Sequence, residues 1–254
     1  MVYVFDMDGV LVNSAILGGI EAVNALESTK PGDRILSVRA AEQTYLGFEQ
    51  AIEIYRPLLV YGPEFVPICD HFSKTFPTVE NRGQFEEVVD KYMQEIGTDK
   101  YERLCSAFAN VRKSLPNEHP QDVIDLLVVY RGVLDIINSA KEKGPVYVSS
   151  SNQMARKRLE MLNFGIDGER VFTKSTHGKT KKEHLEKIAK RESVDLSDVI
   201  MVEDNLSEII QLHDLGADLV MASWGYNTPH QKQVAERYGA KVLDQKNLLT
   251  YIGL

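Results

Sequence analysis

Val2-Tyr3-Val4-Phe5 opens the chain as an unbroken apolar run, and Asp6-Met7-Asp8-Gly9 ends it. A short continuous run closed by a turn signal predicts a strand buried on both faces. From about Ser14 to Val129 the apolar positions recur at helical spacing, as in Phe85, Val88, Val89 and Tyr92. Turn signals at Lys30-Pro31-Gly32 and between Pro116 and Pro120 divide that stretch, and it holds no expected strand. After Gly132 the period changes. Val133, Ile137 and Ala140 share a helical face, followed by the strand run Val146-Tyr147-Val148 and a helix that aligns Ala155, Leu159 and Leu162. A short strand at Val171-Phe172 comes next, then a helix from about Thr180 to Arg191 and the strand Val199-Ile200-Met201-Val202. A helix with Leu206, Ile209, Ile210 and His213 leads to strand-like runs at Asp218 to Ala222 and Lys241 to Leu243 and a last helix near Leu248. Strands alternating with helices predict an α/β core, a parallel sheet covered on both faces. The opening strand is expected to join that sheet. The middle then becomes an inserted all-helical domain over 15–129, and the core comprises 1–14 and 130–254.

At 254 residues and 43% apolar content the chain can fill a sizeable core, which excludes disorder and small disulfide scaffolds. Its 29 Lys and Arg against 37 Asp and Glu give a charge of -8, so nucleic acid and anionic lipid are not expected partners. Cys69 and Cys105 lack the paired spacing of a zinc or redox site and read as reduced, packed thiols. The richest apolar run, Val123 to Ile137, is broken by Asp125, Arg131 and Asp135, well short of the ~20 residues a membrane span needs. Asp6 and Asp8 fall where a signal peptide would be basic and then apolar, so the expected location is cytoplasmic. Oligomeric state is not fixed by the sequence.

In an open parallel sheet, ligands gather beyond the carboxyl ends of the strands. Asp6, Asp8 and Gly9 follow the first strand, Ser149, Ser150, Ser151 and Asn152 the second, and Glu203, Asp204 and Asn205 the fourth. Carboxylates buried together call for a cation, and an all-oxygen set of few ligands suits Mg²⁺ with a phosphate. An anionic substrate also calls for a base. Lys179, at the start of the helix before the fourth strand, is the expected one; the other Lys and Arg between Lys174 and Arg191 read as a solvated face. Other readings of these residues fail. A calcium loop would need Asp or Asn and then Gly where Val10 and Leu11 stand, and a P-loop would need Gly at Thr173. His177, His184 and His213 lack the spacing of a zinc helix, and Ser149 has no His partner that the sequence reveals, which argues against a serine hydrolase triad.

Taken in order, Asp6-Met7-Asp8-Gly9-Val10-Leu11, Ser149, Lys179 and Glu203-Asp204 resemble the four motifs of haloacid dehalogenase-like hydrolases, in their phosphatase branch. Tyr130-Arg131-Gly132-Val133 resembles the family's re-entry into its core, and Trp224-Gly225-Tyr226 is similar to a segment of phosphoglycolate phosphatase-like members. The resemblance implies a Rossmann-like three-layer core, and the insert takes the place of a C1-type helical cap. It further implies a Mg²⁺-dependent phosphatase acting on a small phosphorylated metabolite. Asp6 would be the nucleophile that forms an aspartyl-phosphate, and Asp8 the general acid and base. Mg²⁺ would be held by Asp6, the Asp8 carbonyl and Asp204, with Glu203 steadying a metal-bound water. Ser149, the Ser150 amide and Lys179 would hold the phosphoryl group, and Gly9 would allow the turn after Asp8. Asn13 replaces an acid often found in the family, with little expected effect. A phosphomutase of the β-phosphoglucomutase type, or a phospho-regulated or binding protein on the same fold, remains as an alternative. Within the insert, Arg39, Arg56, Lys74, Arg82 and Arg112 read as surface charge, and Tyr45, Phe48, Tyr55, Tyr61, Phe65, Phe72 and Phe76 as packing between helices.

Overall fold

The structure is a computed structural model that describes residues 1–27, 30–60 and 62–253. Tyr61 lies outside the described residues. The chain divides into two compact units, Met1–Asn13 with Val128–Leu254, and Ser14–Leu127.

The first unit is built on a six-stranded sheet in which all neighbouring strands run parallel. Its strands are β1 (Val2–Phe5), β4 (Val146–Ser150), β5 (Val171–Thr173), β6 (Val199–Glu203), β7 (Asp218–Ala222) and β8 (Lys241–Leu243), in the spatial order β5-β4-β1-β6-β7-β8. Two further strands, β2 (Val12–Asn13) and β3 (Val128–Val129), form a separate antiparallel pair. That pair was not expected, because two residues are too few to show a period. It ties together the points where the chain leaves and re-enters this unit.

Both faces of the sheet are covered. Val2, Val4, Tyr147, Val199 and Met201 pack against Leu185 and Ile188 of the helix Lys181–Glu192 and Ile209 and Leu212 of the helix Leu206–Leu212. The alternate residues Tyr3, Phe5, Val146 and Val148 are buried as well, which is why these strands read as continuous apolar runs. The helices Val133–Lys143 and Gln245–Gly253 pack on each other, and the first also contacts β4. One helix escaped the sequence reading. Pro229–Arg237 begins with a capping box, Thr228 Oγ1 accepting from the Gln231 amide and the Gln231 side chain accepting from the Thr228 amide, with Pro at its first turn.

In the second unit, the helix Ala15–Glu27 packs along the helix Thr98–Glu118. Gly18 and Gly19 make room for Phe65 and Phe48, where a Cβ would stand 2.6 and 2.7 Å from the rings. Asn24 is buried and holds the Ile35 backbone at both its amide and its carbonyl. Tyr55, Phe72 and Phe85 form a run of rings with centroids 4.7 and 5.2 Å apart, so these aromatics pack between helices. Arg82 and Arg112, read above as surface charge, are instead paired with buried carboxylates: Arg82 with Glu64 at 2.5 Å and Arg112 with Glu21 at 3.0 Å. The Pro116 signal does not break its helix, which runs on to Glu118 and stops before Pro120. Cys69 is buried and Cys105 half-buried, both free thiols.

Candidate active site

The sheet's strand order reverses around β1. From β1 the chain moves to β4 and β5 on one side, then returns to β6 on the other. The crevice of such a sheet lies at this reversal, beyond the carboxyl ends of the strands. Asp6 follows β1, Ser149 and Ser150 end β4, and Glu203 ends β6, with Asp204 next in the chain.

Asp6, Glu203 and Asp204 are all buried, and each brings a carboxylate oxygen within 4.8 Å of the others. The Lys181 ammonium stands against them, 2.8 Å from Asp6 Oδ1 and in direct contact with Glu203 Oε2. The remaining Glu203 oxygen, Oε1, accepts from the amides of Asp204 and Asn205, both at 3.0 Å. Asp204 Oδ2 accepts from the Tyr226 amide at 2.7 Å. Burial is the main cause that pushes Asp6 up to about 8, with Lys181 opposing it and Glu203 adding repulsion. Glu203 is pushed up to about 7, again chiefly by burial against the pull of Lys181. Three clustered carboxylates face one ammonium, so full ionisation would leave an excess of negative charge inside the protein, which the raised Asp6 and Glu203 values relieve by keeping protons. An all-oxygen donor set with that excess fits a hard divalent cation.

Lys181 occupies the place expected of Lys179. Thr180 caps the helix, so Lys179 precedes it and is exposed, its amide donating to Glu183 Oε2 at 2.8 Å. Lys181 falls on the same helical stripe as His184, Leu185 and Ile188, all buried. Continuing that stripe back toward the helix start would have picked Lys181 from the sequence.

Asp8 Oδ2 accepts from Asn152 Nδ2 at 3.0 Å, and Arg158 Nη1 lies 4.0 Å from Asp8 Oδ1. Asn152 is itself held, its amide on Ser150 Oγ and its Oδ1 on the Met154 amide. Arg158 is 0% exposed. No motif pointed to Arg158, whose place on the helix Ala155–Met161 aligns it with the buried Ala155 and Leu159.

Gly9 has φ +94°, and a Cβ there would lie 2.0 Å from Asp204 Oδ2. Its bare Cα is what lets the turn close on that carboxylate. Gly225 does the same from the other side, since its Cβ would lie 2.3 Å from Asp204 Cβ. Trp224 Nε1 donates to the Val10 carbonyl at 3.0 Å, and Tyr226 Oη to Asn13 Oδ1 at 2.7 Å. The loop after β7 thus grips both Asp204 and the turn that follows β1.

Ser149 has a histidine partner after all. Its Oγ lies 2.8 Å from His184 Nδ1, and His184 Nε2 is 3.1 Å from the Gly178 carbonyl. The pairing is across 35 residues, which no local spacing could show. With both side chains at 0% exposure, the arrangement is still not that of an accessible serine nucleophile.

The crevice of this parallel sheet thus opens on an Asp-x-Asp-Gly turn and is backed by a buried lysine and a Glu-Asp pair. The family model described as haloacid dehalogenase-like hydrolase matches residues 1–216. The chain belongs to that family. Comparison with curated proteins finds no match. Among solved structures, a hydrolase from Pseudomonas syringae is similar at 16% identity with a TM-score of 0.60, covering 99% of this chain and 97% of that one. A haloacid dehalogenase-like family hydrolase from Streptococcus pneumoniae is similar at 14% identity and a TM-score of 0.59, covering 98% and 97%. A predicted phosphoglycolate phosphatase from Haemophilus somnus is similar at 14% identity and 0.55, covering 98% and 96%. At these identities the structures share the fold. Among the described residues no helix is long and apolar enough to cross a membrane.

Proposed function

We propose that the protein is a phosphatase of small phosphorylated metabolites that works through an aspartyl-phosphate on Asp6. The observation that carries this reading is the buried cluster at the reversal of the sheet, with Lys181 on Asp6 and with Glu203 and Asp204 beside it. The Asp6 carboxylate attacks phosphorus, the bond to the substrate oxygen breaks, and Asp8 gives its proton to the leaving alkoxide. Water then gives a proton to Asp8 and attacks the same phosphorus, so that the bond to Asp6 breaks and inorganic phosphate leaves. Asn152 and Arg158 hold the Asp8 carboxyl beside Asp6 through both steps. Ser150 flanks the phosphoryl oxygens from the end of β4, with Ser149 buried behind it, and Lys181 balances charge on the nucleophile and on phosphate. Asp6, Asp204 and the Asp8 carbonyl would hold Mg²⁺, with Glu203 behind them; the ion supplies charge neutralisation between two anions that must meet. The presence of Asp8 favours phosphate esters, because the dehalogenase branch of the family lacks that second acid.

The test is steady-state phosphate release from a panel of phosphorylated metabolites and one aryl phosphate, with and without Mg²⁺. Wild-type protein is expected to turn over many times only with Mg²⁺, and Asp6→Asn to release nothing above background. One equivalent of phosphate retained on Asp6, or none released, would overturn the reading.

A further inference from the structure

β1 and β4 pair in register, with Val4 beside Tyr147 and Phe5 beside Val148. One step further along lie Asp6 and Ser149. Val4 and Tyr147 face the helix Lys181–Glu192, and so do the residues two positions on, by the alternation of a strand. One helix therefore reads two adjacent strand ends: Lys181 meets Asp6, and one turn later His184 meets Ser149.

The hydrogen bonds of His184 settle which nitrogen carries the proton. Its Nε2 faces the Gly178 carbonyl, which can only accept, so Nε2 bears the hydrogen. Nδ1 of the neutral ring is then an acceptor, and the Ser149 hydroxyl must donate to it. A doubly protonated ring would reverse that bond. Burial, with repulsion from Lys181 and His177, holds the ring below the ordinary imidazole range; the Gly178 and Thr173 backbone contacts oppose this and are outweighed.

We propose that His184 is a positioning residue of this site, binding the Ser149 hydroxyl hydrogen on one nitrogen and the Gly178 carbonyl on the other. It fastens the end of β4 to the turn that delivers Lys181, and it commits the Ser149 hydroxyl hydrogen to the protein, where no phosphoryl oxygen can take it. Gly178 has φ +140°, so the carbonyl that His184 holds belongs to a backbone turn that a residue with a side chain would adopt only under strain. The phosphoryl donors at the end of β4 are then the Ser150 groups. This inference rests on the phosphatase reading for its kinetic consequences but not for the hydrogen bonds themselves.

The two parts separate experimentally. Nitrogen-15 NMR of the metal-free protein is expected to show His184 as the Nε2–H tautomer at neutral pH, with the Nδ1 signal displaced in Ser149→Ala. An Nδ1–H ring, or a signal that Ser149→Ala leaves in place, would overturn the inference whatever the activity. With Mg²⁺ and an aryl phosphate, His184→Leu is expected to lower kcat roughly tenfold to a hundredfold with KM within about twofold, the scale of a misplaced catalytic group. His184→Asn, which keeps an acceptor near the place of Nδ1, should recover most of that loss. The double variant with Ser149→Ala should cost no more than the worse single one. Full activity of His184→Leu, additive losses, or equal losses in the Leu and Asn variants would overturn it. Wild-type protein without turnover, beside the expected NMR result, would instead defeat the phosphatase reading.

Discussion

Lys181 and Lys179 are two residues apart and belong to different environments. Lys181 has lost its water and holds two carboxylates, while Lys179 sits ahead of the helix cap in solvent. An ammonium aimed at developing charge in a dry site is worth far more than one in water. Lys181→Met is therefore expected to lower kcat on an aryl phosphate by at least about a hundredfold, and Lys179→Ala to change it by less than about twofold. Kinetics of both variants, with circular dichroism to verify folding, decide it; the reverse order of effects would restore the sequence expectation. The carboxylates were legible because each lies directly after an apolar run, where chain order alone puts it at a strand end. The lysine was legible only through helix phase, the stripe it shares with His184, Leu185 and Ile188, and a motif match ignores phase. Ser149 and His184 show a second limit. Their contact joins a strand to a helix, and only the packed structure brings them within 2.8 Å.

At the scale of elements, the sheet was legible for a physical reason. Strands covered on both faces need apolar side chains at every position, and such runs stand out from the 3.6-residue period of the helices between them. The elements that escaped are held by other forces. β2 and β3 are a two-residue pair fixed by backbone hydrogen bonds, and the helix Pro229–Arg237 buries only Ala235. With so little buried surface, that helix depends on its start signals more than the others do. Thr228→Ala, which removes the acceptor for the Gln231 amide, is expected to cost about 1 kcal/mol of stability. Urea unfolding of the variant would show this as a lower midpoint at unchanged slope; an unchanged midpoint would mean that packing of Ala235 alone holds the helix.

For the whole molecule, the arrangement of charge matters more than its total. The net charge is -8, yet the proposed substrate is an anion, and the site itself concentrates Asp6, Glu203 and Asp204 around one ammonium. Folding without a cation must either bury that excess charge or keep protons on Asp6 and Glu203, and Mg²⁺ would relieve either cost. Binding to the folded state alone stabilises it by about 2.7 kcal/mol at a hundredfold excess over Kd. Saturating Mg²⁺ is thus expected to raise the thermal midpoint by several degrees, and to increase amide protection at the ends of β1 and β6. Asp204→Asn removes one of the carboxylates, so its metal-free form should be no less stable than wild type and should gain little from Mg²⁺. The pair of melts separates two origins of stabilisation. A shift that persists in Asp204→Asn would come from ions screening the acidic surface, whereas a shift confined to wild type places the cation among the carboxylates at the reversal of the sheet.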